Sequence, residues 1–295
     1  MGRRHALPIF QQRSNMTAPT RRDALLALAA AALPALGKIR GIDIGVCGGM
    51  DGFSKAEALG FDYFEPSVAA LSTLSDQAFA DVRKQVMASR MRCDTCNNFI
   101  RTLKVVGPDV DPAALKAYMN QMLDRCRALG TQIIVWGSQN SRNVPDGYSR
   151  ETAWQQIKDF LQYAGDIARS KSLVIAIEPL RHPDSNIINS GAEGLRLVRE
   201  VNHPNVKLMI DFYHMRSEKE DPKILVEAAD EIVHIHFANP EGRRWPKNPD
   251  EDPEYGRFFA YLKQIRYQAG LSIEGRGTLD ADGAASLAFF REEIK

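Results

Sequence analysis

From residue 38 onward the chain alternates short apolar runs with amphipathic stretches, and the alternation repeats eight times. The runs lie at 42–47, 63–66, 91–97, 132–137, 173–178, 206–211, 232–237 and 271–274; each is brief and rich in β-branched or aromatic residues, as strands are. Helix starts fall between them. Ser54-x-x-Glu57 has the spacing of a capping box, and Asp111-Pro112 and Asp221-Pro222 each place a capping acid before a proline at the first helical position. The clearest helix is predicted over 112–129, where Leu115, Tyr118, Met119, Met122, Leu123, Cys126 and Leu129 share one face before Gly130 stops it. Eight strand-helix units joined by right-handed crossovers close most simply into a (β/α)8 TIM barrel. An open doubly wound sheet would bring a phosphate loop after its first strand, and Gly45-Val46-Cys47-Gly48-Gly49 lacks the required spacing.

The 295 residues fit a barrel of about 250 plus an extension. Residues 1–37 read as that extension and 38–295 as a single catalytic domain. Arg21-Arg22 stands directly before an uncharged Ala- and Leu-rich run, 24–36, the layout of a twin-arginine signal peptide. The run is too short to span a bilayer well. The expectation is export to the periplasm and no membrane span in the mature form; a cytoplasmic location follows if the segment is no signal. Translation can start at Met1 or Met16. With 38 basic and 37 acidic residues the net charge is +1, so no global field attracts nucleic acid. Cys93-Asp94-Thr95-Cys96 has redox or half-zinc spacing, but no second pair follows, and small buried thiols or an incidental disulfide are the expectation.

The informative pattern is where charge sits. Four successive apolar runs, the fifth to the eighth, finish on Glu178, Asp211, His236 and Glu274. Alternate residues of a barrel strand face inward, so packing Ile175 and Ile177 on the helices sends Glu178 into the mouth, and the same parity brings in the other three. Three carboxylates cannot all stay ionised in a half-buried mouth without a cation. One imidazole and three carboxylates form a hard, oxygen-rich set suited to Mn2+ first, with Mg2+, Co2+ or Zn2+ as alternatives.

These residues resemble the sugar-phosphate isomerase/epimerase family with xylose isomerase-like barrels, which includes ketose 3-epimerases and hydroxypyruvate isomerase. The resemblance runs over about residues 41–276. It is carried by Ile177-Glu178-Pro179-Leu180, Met209-Ile210-Asp211-Phe212-Tyr213-His214, His234-Ile235-His236 and Ile273-Glu274-Gly275, with Gly60 to Glu65 similar to the family's second strand. It implies that Glu178, Asp211, His236 and Glu274 are metal ligands, and that His214 and an arginine beyond the His-x-His strand grip substrate oxygens. The family's second Glu, six residues after the first ligand, is replaced by Asp184; its arginine position is Gly242, with Arg243 or Arg244 as the available substitutes. A sugar substrate and a homodimer or tetramer are also implied.

Glu178 and Glu274, from opposite sides of the barrel, can remove and return a proton beside a carbonyl while the metal stabilises the enediolate. Return to the same carbon is epimerisation, and return to its neighbour is isomerisation. Loss of a β-oxygen from the same intermediate would make a lyase or dehydratase acting on an oxidised sugar or glycoside. His234, one layer deeper, is expected to hydrogen-bond behind the ligands. Asn97 and Glu65 end earlier strands as further polar contacts to substrate, Trp136 ends the fourth as apolar wall or packing, and His182 is expected in a solvated loop. A multi-zinc abasic-site endonuclease shares Asp211-x-x-His214 but needs histidines on earlier strands, and none occurs between residues 6 and 181. A non-catalytic sugar-binding protein has no use for the full quartet.

Overall fold

The computed structural model describes residues 41–295, so the leader-like segment at 1–37 lies outside the described residues. Eight parallel strands follow one another with helices between: β1 (Asp43–Gly48), β2 (Tyr63–Pro66), β3 (Thr95–Cys96), β4 (Ile133–Trp136), β5 (Val174–Ile177), β6 (Val206–Asp211), β7 (Ile232–Phe237) and β8 (Gly270–Ile273). They are hydrogen-bonded in the order β2-β1-β8-β7-β6-β5-β4-β3. Between β2 and β3 only two isolated parallel bridges, Tyr63 with Arg92 and Ser67 with Asn97, complete the circle. This is the TIM barrel that the eightfold alternation predicts.

Strands β2, β6 and β7 have the predicted bounds, and β1, β4, β5 and β8 differ by a residue at each end or less. β3 is the exception, two residues instead of seven. The Cys93 carbonyl accepts the Thr131 hydroxyl at 2.9 Å. Both Gln132 and Ile133 amides converge on the Asp94 carbonyl, so the regular ladder to β4 begins only at Thr95.

The long helix α4 (Pro112–Ala128) starts as predicted, with the Asp111 carboxylate accepting from the amides of Ala113 and Ala114 at 3.0 Å each. Two predicted starts are corrected. Helix α1 (Phe53–Leu59) begins after Gly52, so Ser54 sits inside its first turn; Glu57 instead accepts from Ser89 and Arg90, tying α1 to the end of α3 (Asp76–Ala88). Asp221 caps a turn through the Lys223 amide, and the helix there, α9 (Ile224–Glu227), starts two residues later than the Asp-Pro pair suggests. The other helices are α2 (Val68–Ser72), α5 (Gln139–Arg142), α6 (Arg150–Ser170), α7 (Gly191–Val201), α8 (Phe212–Ser217), α10 (Tyr255–Gln264) and α11 (Ala284–Glu293). Among the described residues no helix is long and apolar enough to cross a membrane.

Strand alternation separates two cores. Ile175, Ile177, Leu208, Ile210, Ile235, Phe237, Leu271 and Ile273 join the large cluster under the helices, whereas Ile133, Val135, Ala176 and Met209 form a small one inside the barrel. The Tyr63 ring also packs inside the barrel, and it fits because Gly45 and Gly270 have no side chains. A Cβ on Gly45 would lie 2.3 Å from the ring, and one on Gly270 would lie 2.7 Å from its hydroxyl. All four cysteines are free, and Cys93, Cys96 and Cys126 are buried.

Overpacking of this kind costs about 1–3 kcal/mol. Gly45→Ala is therefore expected to lower the unfolding free energy by that amount, seen as a lower urea midpoint at unchanged m-value, and pairing it with Tyr63→Leu should recover part of the loss; urea unfolding followed by fluorescence checks both.

Candidate active site

The mouth is assembled on the C-terminal ends of β5 to β8. Glu178 and Glu274 follow the last ladder residues of β5 and β8, while Asp211 and His236 lie within β6 and β7. One donor atom from each of the four lies within 4.8 Å of the others. Asp211 also caps α8: one carboxylate oxygen accepts the Tyr213 amide at 2.7 Å, which leaves the other for the mouth. The ring of Phe212 stacks on Phe237 at 4.3 Å under the helices, so the next turn carries Tyr213 and His214 back over the opening.

Beneath the mouth lies a buried relay. Glu65, on β2 and without exposure, accepts from Nε2 of His236 at 2.8 Å and from Nε2 of His234 at 2.9 Å. It also accepts from the Ser272 hydroxyl, which in turn accepts from Tyr63. Burial alone would push the Glu65 carboxyl up, but the His236 and His234 imidazoles outweigh it and hold the group well below the usual carboxylate range. Burial keeps His234 neutral, with its pKa below the ordinary value despite the Glu65 charge. Because Nε2 of His236 is committed to Glu65, Nδ1 faces Glu178 at 3.5 Å and Glu274 at 3.4 Å.

The electrostatics are unbalanced. Burial pushes Asp211 up, and His214 and Arg243 offset only part of that. Glu274 is held low in spite of its burial by His236 and Arg243. Burial works against the charged form of His236, yet Glu65, Cys47 and Glu274 drive its pKa well above the ordinary imidazole value. Arg243 contacts Glu274 directly, reaches Asp211 at 3.4 Å, and stacks on the Tyr213 ring at 4.8 Å; the acids raise its pKa further against burial. Glu178 Oε1 and His236 Nδ1 are buried and have no hydrogen-bond partner. Two buried polar atoms without a hydrogen-bond partner among the described residues, beside two further carboxylates, make a set of three acids and one imidazole that suits a hard divalent ion once His236 gives up its Nδ1 proton. Cys47, Glu65 and His236 form a second close group, but burial raises the Cys47 thiol and both Glu65 oxygens are already occupied.

Above this floor opens a cavity of about 470 Å³. Glu178, Glu274, His214, Arg243 and Asp184 line it. His214 accepts the Arg181 amide on Nδ1 at 3.4 Å, and its Nε2 lies 3.5 Å from Asp211 and 4.0 Å from Glu178. Asp184 pairs with Arg181 at 2.6 Å and stands 3.7 Å from His214. Other predicted positions fall elsewhere. Arg244 turns away to Glu241 at 2.7 Å and does not line the cavity, so Arg243, in a left-handed turn after Gly242, is the arginine of the mouth. Glu65 lies behind His236 and not on the cleft surface, and Asn97 faces a neighbouring cavity. Trp136 points outward, packed on Phe160 at 5.1 Å and bonded to Ser141, so it is packing and not a cleft wall. His182 pairs with Glu218 at the surface.

Three contributors were not read from the sequence. Buried Arg142 donates to the Trp136 and Glu178 carbonyls at 3.0 and 2.6 Å and ties β4 to β5; burial lowers its pKa to about 10. Gly137 makes room for Glu178, since a Cβ there would lie 1.6 Å from the carboxylate. Asn98 lines the cavity in a left-handed conformation, φ 51°. Of these only Gly137 carries a signal in the sequence, a glycine directly after a strand that ends in a mouth.

Residues 53–293 match the family described as xylose isomerase-like TIM barrel, and the chain belongs to that family. It is 24% identical over 260 residues to D-psicose 3-epimerase of Agrobacterium fabrum, covering 82% of this chain and 88% of that one. It is 34% identical over 116 residues to L-ribulose 3-epimerase of a Methylomonas species, which covers 39% of each chain. The solved D-psicose 3-epimerase of Clostridium cellulolyticum, crystallised with D-tagatose, superposes with a TM-score of 0.76 at 19% identity, over 86% of this chain and 100% of that one.

Removing the acceptor behind a ligating imidazole typically weakens metal binding about 10–100-fold. Glu65→Gln is expected to do so for Mn2+ while the fold persists, and Gly137→Ala is expected to displace the Glu178 carboxylate and weaken Mn2+ binding similarly. Titration calorimetry with Mn2+ and circular dichroism measure the two effects separately.

Proposed function

We propose that the chain is a divalent-metal-dependent sugar epimerase or isomerase, with Glu178, Asp211, His236 and Glu274 holding the ion and manganese as the first choice. The observation that carries this reading is the cluster itself: four donor atoms within 4.8 Å, two of them buried without a partner. Family membership and the names of the relatives, epimerases of ketoses, support the same class.

When bound, such an ion polarises a carbonyl and its neighbouring hydroxyl and so acidifies the C–H between them. The protein supplies the proton transfers. Glu178 and Glu274 reach the cavity from β5 and β8, so one carboxylate can take the proton from one face of the sugar and the other can deliver one to the opposite face. Arg243, braced by Tyr213, steadies Glu274, and His214 presents Nε2 beside Glu178 for a substrate oxygen. Removal at the carbon beside the ketone and return to the opposite face of that same carbon gives an epimer, whereas removal at C1 of a 2-ketose and return at C2 gives the aldose.

General acid–base groups contribute about 10²–10⁴-fold to rate. Glu178→Gln and Glu274→Gln are expected to lower kcat by that factor with an intact fold, and Asp211→Ala to lose the metal. Deuterium uptake from D2O into a panel of ketoses, with and without Mn2+, is the direct assay. Wild-type rates in either Gln variant, or uptake that ignores metal, would overturn the reading.

A further inference from the structure

Three neighbouring loops meet over the mouth, and one ring joins them. Tyr213 sits in the turn that follows Asp211; it is buried, lines the cavity, and has its amide held by the Asp211 carboxylate at 2.7 Å. The guanidinium of Arg181, from the loop after β5, lies 4.9 Å from the centre of the Tyr213 ring. That of Arg243, from the loop after β7, lies 4.8 Å from the same centre. A guanidinium within about 6 Å of a ring is attracted by its quadrupole, and the attraction grows as water is excluded. The two arginine side chains keep 30% and 28% of their surface exposed, so much of each contact is desolvated.

The contacts continue beyond the ring on both sides. Arg181 pairs with Asp184 at 2.6 Å, and Arg243 contacts Glu274 and reaches Asp211 at 3.4 Å. From Asp184 to Glu274 the order is acid, guanidinium, ring, guanidinium, acid, and it crosses the opening from the β5 side to the β8 side. Two like charges on one ring repel, so each stays only because its own acid and the ring together outweigh that repulsion. The backbone makes this hold necessary. Arg243 has φ 53° directly after Gly242 at φ 72°, and a non-glycine residue keeps such a conformation where its surroundings over-determine it. The Arg276 amide fixes the Arg243 carbonyl at 2.6 Å, and the ring and the acids fix its side chain. Arg181 is likewise held twice, by its amide on Nδ1 of His214 at 3.4 Å and by its guanidinium on the ring.

We propose that Tyr213 is a positioning residue that couples the loop 179–190 to the loop 238–248: through Arg181 on one side and Arg243 on the other, its ring sets the spacing between Asp184 and Glu274. The consequence for turnover rests on the proton-transfer reading above, whereas the coupling of the loops stands without it. A substrate group that draws on Arg181 or Asp184 at one end of the cavity is thereby felt at Glu274 across the opening.

The test is a double-mutant cycle on the full chain with Mn2+, Arg181→Gln against Tyr213→Leu, with Tyr213→Phe as the conservative variant. Deuterium uptake from D2O into the ketose that the wild type labels fastest gives kcat/KM for each protein. A direct contact between Arg181 and substrate costs the same in both backgrounds and cancels, whereas coupling through the ring does not. Arg181→Gln is expected to cost about fivefold more in the wild-type background than in the Tyr213→Leu background, and Tyr213→Phe should restore the difference. Hydrogen exchange read by mass spectrometry follows the coupling without turnover. Tyr213→Leu should speed exchange in both 179–190 and 238–248, and Tyr213→Phe in neither. Arg181→Gln, at a partly exposed position, should also speed exchange in 238–248, because the ring loses the contact that holds it on that side; this arm serves if Tyr213→Leu fails to fold. An additive cycle, an Arg181→Gln protein with unchanged exchange in 238–248, or a Tyr213→Phe protein that behaves like Tyr213→Leu overturns the proposal. If no carbonyl sugar is labelled by any of these proteins, the catalytic reading falls, and exchange in the two loops alone decides the coupling.

Discussion

The hydrogen bond from His236 to Glu65 fixes the rest of the site. Glu65 is sealed inside the barrel on β2, and its charge survives there because two imidazole N–H groups and a hydroxyl point at it. With Nε2 of His236 spent on that contact, Nδ1 is the nitrogen that looks into the mouth. The three carboxylates then gather with Nδ1 at the opening, and among the described residues Arg243 is the guanidinium that pairs with two of them, Asp211 and Glu274. Without an ion the acids lean on Arg243 and on a His236 imidazole that Glu65 and Glu274 push towards its charged form; a divalent cation would take over that balance.

The fold was legible because the barrel repeats one rule eight times. Alternation placed Glu178, Asp211, His236 and Glu274 on one inward face, and the structure brings their donor atoms together. Where local chemistry competes with that rule, the sequence misleads. Asp94 and Thr131 divert backbone bonding before β3, and Ser54 looks like a cap although Gly52 already supplies the turn. Strand-end position does not by itself put a side chain on the cavity over Glu178 and Glu274. Glu65 and Asn97 both end strands, yet one lies below the floor and the other faces a different cavity. The arginine beyond β7 was readable only to within a residue, because the left-handed turn at Gly242 and Arg243 decides which side chain faces inward.

The site also depends on parts that have no chemistry of their own. Gly137 leaves space that Glu178 fills, and Arg142 clamps the carbonyls on either side of that same corner. A buried guanidinium held by two carbonyl oxygens and the face of Trp136, 5.3 Å away, is costly in isolation, so its presence indicates how much rigidity the end of β5 requires. Phe212 does comparable work from outside, anchoring the turn that returns His214 to the opening.

The seam between β2 and β3 has two isolated bridges where the other neighbouring strands share ladders. Cooperative opening follows the line of fewest backbone bonds, so amide protons along residues 91–97 should exchange with solvent ahead of those in β5 to β8. The barrel is thus a hoop with one loose clasp. Because Glu65 stands on β2, one edge of that clasp, and holds His236 from across the barrel, loosening confined to the β3 edge leaves the donors in place, whereas movement of β2 reaches them.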